Sequence, residues 1–139
     1  MRISLAVFAE RFELFPNGNL NVFGIYESIA AEQFPLTLSA LPLIFRIQLG
    51  YEDWSEEPHK LRLELVNQDS KSTGWMEVDV KVAKIAPGKR HVESKVATLN
   101  GVVFPRPDEY NLIMKWNGQE VQRVALSVTR AEPQAPPVP

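Results

Sequence analysis

Apolar and polar residues alternate with a period of two along most of this chain. Leu43, Phe45, Ile47, Leu49 and Tyr51 interleave with Ile44, Arg46, Gln48 and Gly50. Leu61, Leu63 and Leu65 flank Arg62 and Glu64, and Met76, Val78, Val80 and Val82 flank Glu77, Asp79 and Lys81. Tyr110, Leu112, Met114 and Trp116 form a further run, and beyond a turn Leu126 and Val128 share one side. Successive side chains of a strand point to opposite faces, so each run predicts a strand with one buried and one mostly polar face. Such strands build antiparallel sheet packed on one side.

Turn residues separate the runs. Asn17-Gly18, Asn100-Gly101 and Asn117-Gly118 predict hairpin turns, because both residues tolerate positive φ. Pro87-Gly88 marks another turn. Prolines at 16, 35, 42, 58, 87, 105 and 107 fall mostly between the apolar runs and mark strand ends, since proline cannot donate to a ladder. Spacing of this kind predicts an all-β, antiparallel β-sandwich of immunoglobulin-like or Greek-key type with about 7–8 strands, a closed barrel being the alternative. The one helical candidate, residues 27–34, is short and ends at Pro35, so a loop or a single turn is expected there. Ile3, Leu5 and Val7 read as a first strand rather than an export signal, because Glu10 and Arg11 end the apolar stretch early. The expected compartment is the cytoplasm.

Length and composition bound this picture without changing it. At 139 residues, 45% of them hydrophobic, the chain fits one domain that buries roughly two-thirds of its unfolded surface. The domain is expected over residues 1–130. A flexible Pro-rich tail, residues 131–139, holds four of the 11 prolines, and its Pro133 to Pro136 fits the Pro-x-x-Pro pattern. With no Cys there is no disulfide scaffold, thiolate metal site or thiol nucleophile. The net charge of −2 draws the chain neither to nucleic acid nor to anionic lipid. No run approaches the ~20 apolar residues of a membrane span. Acidic residues outnumber basic ones up to Ser70 and basic ones prevail after it, as expected of halves that complement each other in one fold.

Chemistry-bearing groups are sparse. The two histidines, His59 and His91, sit where turns between strands are expected, and no nucleophile–base signature accompanies them. No catalytic residue, metal site or cofactor is therefore assigned. The acidic loop of residues 52–57 lacks the Asp spacing of a calcium loop and reads as a solvated turn, but Trp54 within it suits a partner contact. Trp54, Glu56 and Glu57 are the binding candidates there, with Arg90 and His91 in the basic stretch around Pro87-Gly88. That stretch has neither a phosphate-loop pattern nor interleaved aromatics.

Two segments resemble a known family. The first is Leu99-Asn100-Gly101-Val102-Val103-Phe104-Pro105-Arg106-Pro107-Asp108-Glu109-Tyr110, followed by Trp116-Asn117-Gly118. The second is Leu20-Asn21-Val22-Phe23-Gly24-Ile25-Tyr26 with Phe34-Pro35. From about Ile3 to Val128 the chain is similar to a bacterial family of uncharacterised small all-β proteins, a domain of unknown function. Glu109 stands where members often carry Gly. The resemblance implies a sandwich-like fold and transfers no activity. Its shared positions read as structural: Gly18 and Gly118 in turns, Gly24 at a bulge or a close crossing, and Phe104, Pro105 and Tyr110 at a tyrosine corner. The expected function is a non-catalytic interaction module that binds a protein partner or itself. The alternative is a ligand-binding sandwich, taking a glycan or calcium with lipid through residues 52–57.

Overall fold

The structure, a computed structural model, describes residues 1–132. The Pro-x-x-Pro pattern and most of the expected tail lie outside the described residues. Nine strands form: β1 (Arg2–Leu14), β2 (Leu20–Tyr26), β3 (Ser28–Ala31), β4 (Leu36–Gly50), β5 (His59–Val66), β6 (Ser72–Val80), β7 (Arg90–Phe104), β8 (Asp108–Trp116) and β9 (Gln119–Arg130). They make two sheets, one in the order β2-β1-β4-β7 and one in the order β3-β9-β8-β5-β6. The architecture is a β-sandwich, and both sheets feed one core. Phe8, Leu43, Phe45 and Ile47 come from the first sheet and Leu61, Leu63, Tyr110, Leu112 and Met114 from the second.

Three local expectations change. Residues 28–31 form a strand instead of a loop or helical turn, and β3 runs parallel to β9, with Ser28 opposite Ser127 and Ala31 opposite Arg130. Among the described residues the sandwich therefore has nine strands and one parallel pair. Asn100-Gly101 is no hairpin turn, because it lies inside β7 opposite β4. There the side-chain faces switch. Leu41 and Leu43 face the core beside Leu99 and Ala97, whereas beyond the switch Leu38 and Leu36 sit beside Val102 and Phe104. Gly101, at φ +64°, lets β7 change face without losing its register on β4. Pro42 lies within β4 and not at its end, next to Leu43, the last β4 residue paired with β1. Its missing N–H coincides with the point where β1 leaves the sheet.

Two hairpin loops share one wiring. In the β1–β2 loop the Phe15 N–H donates to the Asn19 carbonyl at 2.8 Å and the Gly18 N–H to the Phe15 carbonyl at 2.9 Å. In the β5–β6 loop Asn67 donates to Lys71 at 2.9 Å and Ser70 to Asn67 at 3.0 Å. Equivalent positions hold Gly18 at φ +86° and Ser70 at φ +62°. A side chain in the left-handed region is strained, so Ser70→Gly should raise stability by about 0.5–1 kcal/mol, net of the entropy glycine loses on folding. Urea denaturation of the two proteins checks this.

Candidate functional site

One end of the sandwich gathers the chain's start, the single-turn 3₁₀ helix Tyr51–Asp53, the opening of β5 and the β8–β9 turn. Gly50 ends β4, and its N–H donates to Asp53 Oδ2 at 2.7 Å. Asp53 Oδ1 accepts the Met1 ammonium at 2.8 Å, and both groups are buried. Burial pulls the Asp53 carboxyl upward, but the hydrogen bonds from Met1 and Gly50 outweigh it and hold the carboxyl below its ordinary range.

His59 is not the exposed turn histidine expected. It opens β5, half-buried, with its ring stacked on Trp116 at 4.5 Å. The Asn117 side-chain oxygen accepts the Lys60 N–H at 2.9 Å, which leaves the Asn117 amide nitrogen 2.7 Å from His59 Nδ1. That amide donates, so Nδ1 accepts and Nε2 carries the proton shared with the Asp53 carbonyl at 2.6 Å. Ser55 Oγ lies 3.4 Å from the same Nε2. The grouping of Ser55, His59 and Asp53 is nevertheless not hydrogen-bonded as a nucleophile–base–acid relay. Nε2 has no lone pair free for the serine proton, the Ser55 hydroxyl donates to the Glu57 carbonyl, and the Asp53 carboxylate is held by Met1 and Gly50.

Beside this network the sequence candidates come close together. Exposed Trp54 and Tyr51, with Glu52, Lys84 and Ile85, line a cleft of about 410 Å³. Lys84 places its ammonium 4.6 Å from the indole centre. A neighbouring cleft of about 500 Å³ shares Lys84 and Ile85 and adds Arg90, His91 and Glu93 over a floor that includes Leu49 and Val82. His91 thus stands exposed within β7 and not in a turn, 3.7 Å from Glu93. Glu56 and Glu57 are exposed and line neither cleft. Among the described residues no three acidic or histidine side chains converge as a metal site would require.

A second surface was not singled out by the sequence reading. Past Phe8 and Ala9, β1 pairs only with β2, so residues 10–14 and 20–24 form a two-stranded ribbon that leaves the sheet. A notch of about 400 Å³, lined partly by Glu10, Tyr26, Ile29, Leu38 and Pro42, separates the ribbon's base from β4. Phe12 pairs with Val22 and Leu14 with Leu20, so these four side chains share one side of the ribbon. None of these four belongs to the core or packs against it, and Leu14 is 56% exposed. On the ribbon's other side Arg11 lies 4.6 Å over the Phe23 ring, beside Glu13 and Asn21. Glu10 crosses over Gly24, where a Cβ would meet its carboxylate at 2.9 Å. The alternation of Phe12 and Leu14 with Arg11 and Glu13, flanking Asn17-Gly18, was the available signal. It marks an amphipathic hairpin but does not say that nothing covers its apolar side.

The model of a family of unknown function, DUF6941, matches residues 4–129. No curated protein matches the chain. No helix among the described residues is long and apolar enough to cross a membrane.

Proposed function

The chain belongs to DUF6941, a family of unknown function, and from that premise we propose that it is a non-catalytic interaction module whose contact surface is the β1–β2 ribbon. The observation that carries this reading is the ribbon's apolar side, which the molecule's own core leaves uncovered. An isolated two-stranded ribbon is marginal in water, and a bare apolar side adds to the cost. A partner that covers it removes both penalties. The wiring of Ser55 and His59 supports a non-catalytic role, and a fold without cysteine suits the cytoplasm.

The test compares tagged wild-type protein with Leu14→Lys in cells that naturally make it. Leu14 lies outside the core, so the variant should fold normally and lose a specific co-purifying protein. An identical set of partners for both proteins overturns the reading, as does substrate turnover by the pure protein.

A second reading rests on Tyr51 and Trp54, exposed aromatic rings beside one cleft, which offer a platform for a sugar ring. Glycan titration should then shift Trp fluorescence in the wild type and not in Trp54→Ala. An unchanged wild-type spectrum removes this reading.

A further inference from the structure

We propose that the two neighbouring clefts beside Trp54 form one binding site for an acidic sugar unit, a sugar ring that carries a carboxylate, sulfate or phosphate. The inference rests on the sugar-platform reading and names the class of sugar.

The cationic half of the site comes from a change in what β7 turns inward. Directly opposed residues of an antiparallel pair share a face. The core residues Leu41 and Leu43 stand opposite Leu99 and Ala97, which are also in the core. Further along β4, Phe45, Ile47 and Leu49 still belong to the core, but their partners are Lys95, Glu93 and His91. The inner side of β7, an edge strand of its sheet, thus carries three ionisable groups in a row. Charges turned inward at an edge discourage pairing with another sheet, which accounts for β7 alone. They do not account for residues 81–85, which continue from β6 of the second sheet and supply the other wall of the cleft. That segment buries Val82 in the core and leaves Lys81 and Lys84 exposed. Among the described residues Lys81, Lys84 and Arg90 make no ion pair. Glu93, the carboxylate in this cleft, is already held by Lys95 at 3.4 Å and His91 at 3.7 Å. An entering anion therefore meets three cations and has no carboxylate to displace from them.

The other cleft has a different character. Tyr51 and Trp54 offer rings that are 61% and 40% exposed, and Glu52, between them in the chain, lines the same cleft. A Cβ on Gly50 would meet the Glu52 carboxylate at 2.7 Å, so this glycine lets the group lie close against the backbone. A carboxylate repels an anion but accepts hydrogen bonds from the hydroxyls of a ring stacked on the aromatic faces. Lys84 joins the two halves, because it lines both clefts and reaches over the indole at 4.6 Å. The clefts, about 410 and 500 Å³, fall in the size range of small-ligand sites. A plain anion would use only the cationic half, and a neutral sugar only the aromatic half. An acidic sugar satisfies both at once.

The test is an array that pairs neutral glycans with uronate-, sulfate- and phosphate-bearing counterparts, probed with the tagged full chain. Acidic members should be retained, and their neutral counterparts bound about 10-fold more weakly or less. Calorimetric titration with the retained glycans should show a loss of about 10-fold for each of Lys81→Ala, Arg90→Ala and Trp54→Ala, with unchanged melting midpoints. Lys89→Ala removes an exposed cation of the same stretch that lines neither cleft, and should bind as wild type. Equal losses for Lys89→Ala and Arg90→Ala would reduce the effect to net charge and overturn the proposal. Full binding by Trp54→Ala removes the aromatic half, and the proposal with it. Displacement of the glycan by poly-aspartate at matched charge would assign the cleft to an acidic protein segment instead. If neutral and acidic glycans bind alike and Arg90→Ala is silent, the acid group is wrong and the sugar platform stands. If the array retains nothing, both are wrong.

Discussion

Tyr110→Ala should cost about 3–5 kcal/mol of folding stability, the range for removing a fully buried aromatic side chain. Tyr110 is 1% exposed, and its ring meets the Phe104 ring edge-on at 4.9 Å between centroids. Its hydroxyl donates to the Arg106 carbonyl at 2.9 Å, pinning residues 105–107 between β7 and β8. Burial, with the charge of Asp108, pushes that hydroxyl above its ordinary range, so it stays a donor across neutral pH. Tyr110→Phe separates the two contributions. It keeps the packing and loses the hydrogen bond, for about 1–1.5 kcal/mol. Chemical denaturation of the three proteins checks both values. Equal losses for Ala and Phe would mean that the hydroxyl, and not the ring, holds the corner.

Asp53→Ala should cost about 2–4 kcal/mol, because it leaves the Met1 ammonium without its acceptor and the Gly50 N–H without a partner. The same residue sets a pH dependence. Its carboxyl lies lower in the folded protein than in the unfolded chain, where it has its ordinary value. The unfolded chain therefore takes up the proton first as pH falls. The stabilisation is complete above the unfolded value and is lost as pH drops through the folded one. Melting midpoints recorded downward from pH 6 should fall less steeply for Asp53→Ala than for wild type in that window. Parallel curves would assign the acid sensitivity to other carboxylates.

Much of the fold can be read from side-chain alternation. Leu61, Leu63 and Leu65, like Tyr110, Leu112 and Met114, face the core on alternate positions as a one-sided strand requires. The departures share a cause, which is that partners distant in sequence outweigh local preference. Residues 28–31 carry the helix-tolerant pair Ala30-Ala31, yet ladder bonds to β9 fix them as strand. Asn100-Gly101 would favour a hairpin, but both flanks already pair with β4, so its conformational freedom goes into the face switch. His59 gave no local sign of its role because two of its partners, Trp116 and Asn117, reach it from a distant stretch and Asp53 meets it through a backbone carbonyl. The ribbon was legible as an amphipathic hairpin. Its lack of cover was not, because alternation reads the same whether a second layer is present or missing.

The pairing of β3 with β9 also bears on how the domain is made. Ser28 and Ser127 are partners separated by about a hundred residues. During synthesis β3 therefore waits for nearly the whole domain to leave the ribosome before its ladder can form. The β1–β2 hairpin, whose contacts are local, can form at once. Through that interval the nascent chain displays an apolar ribbon and an unfinished second sheet together. Ribosome-bound chains stopped before β9 should therefore be the form most prone to self-association and most dependent on chaperones.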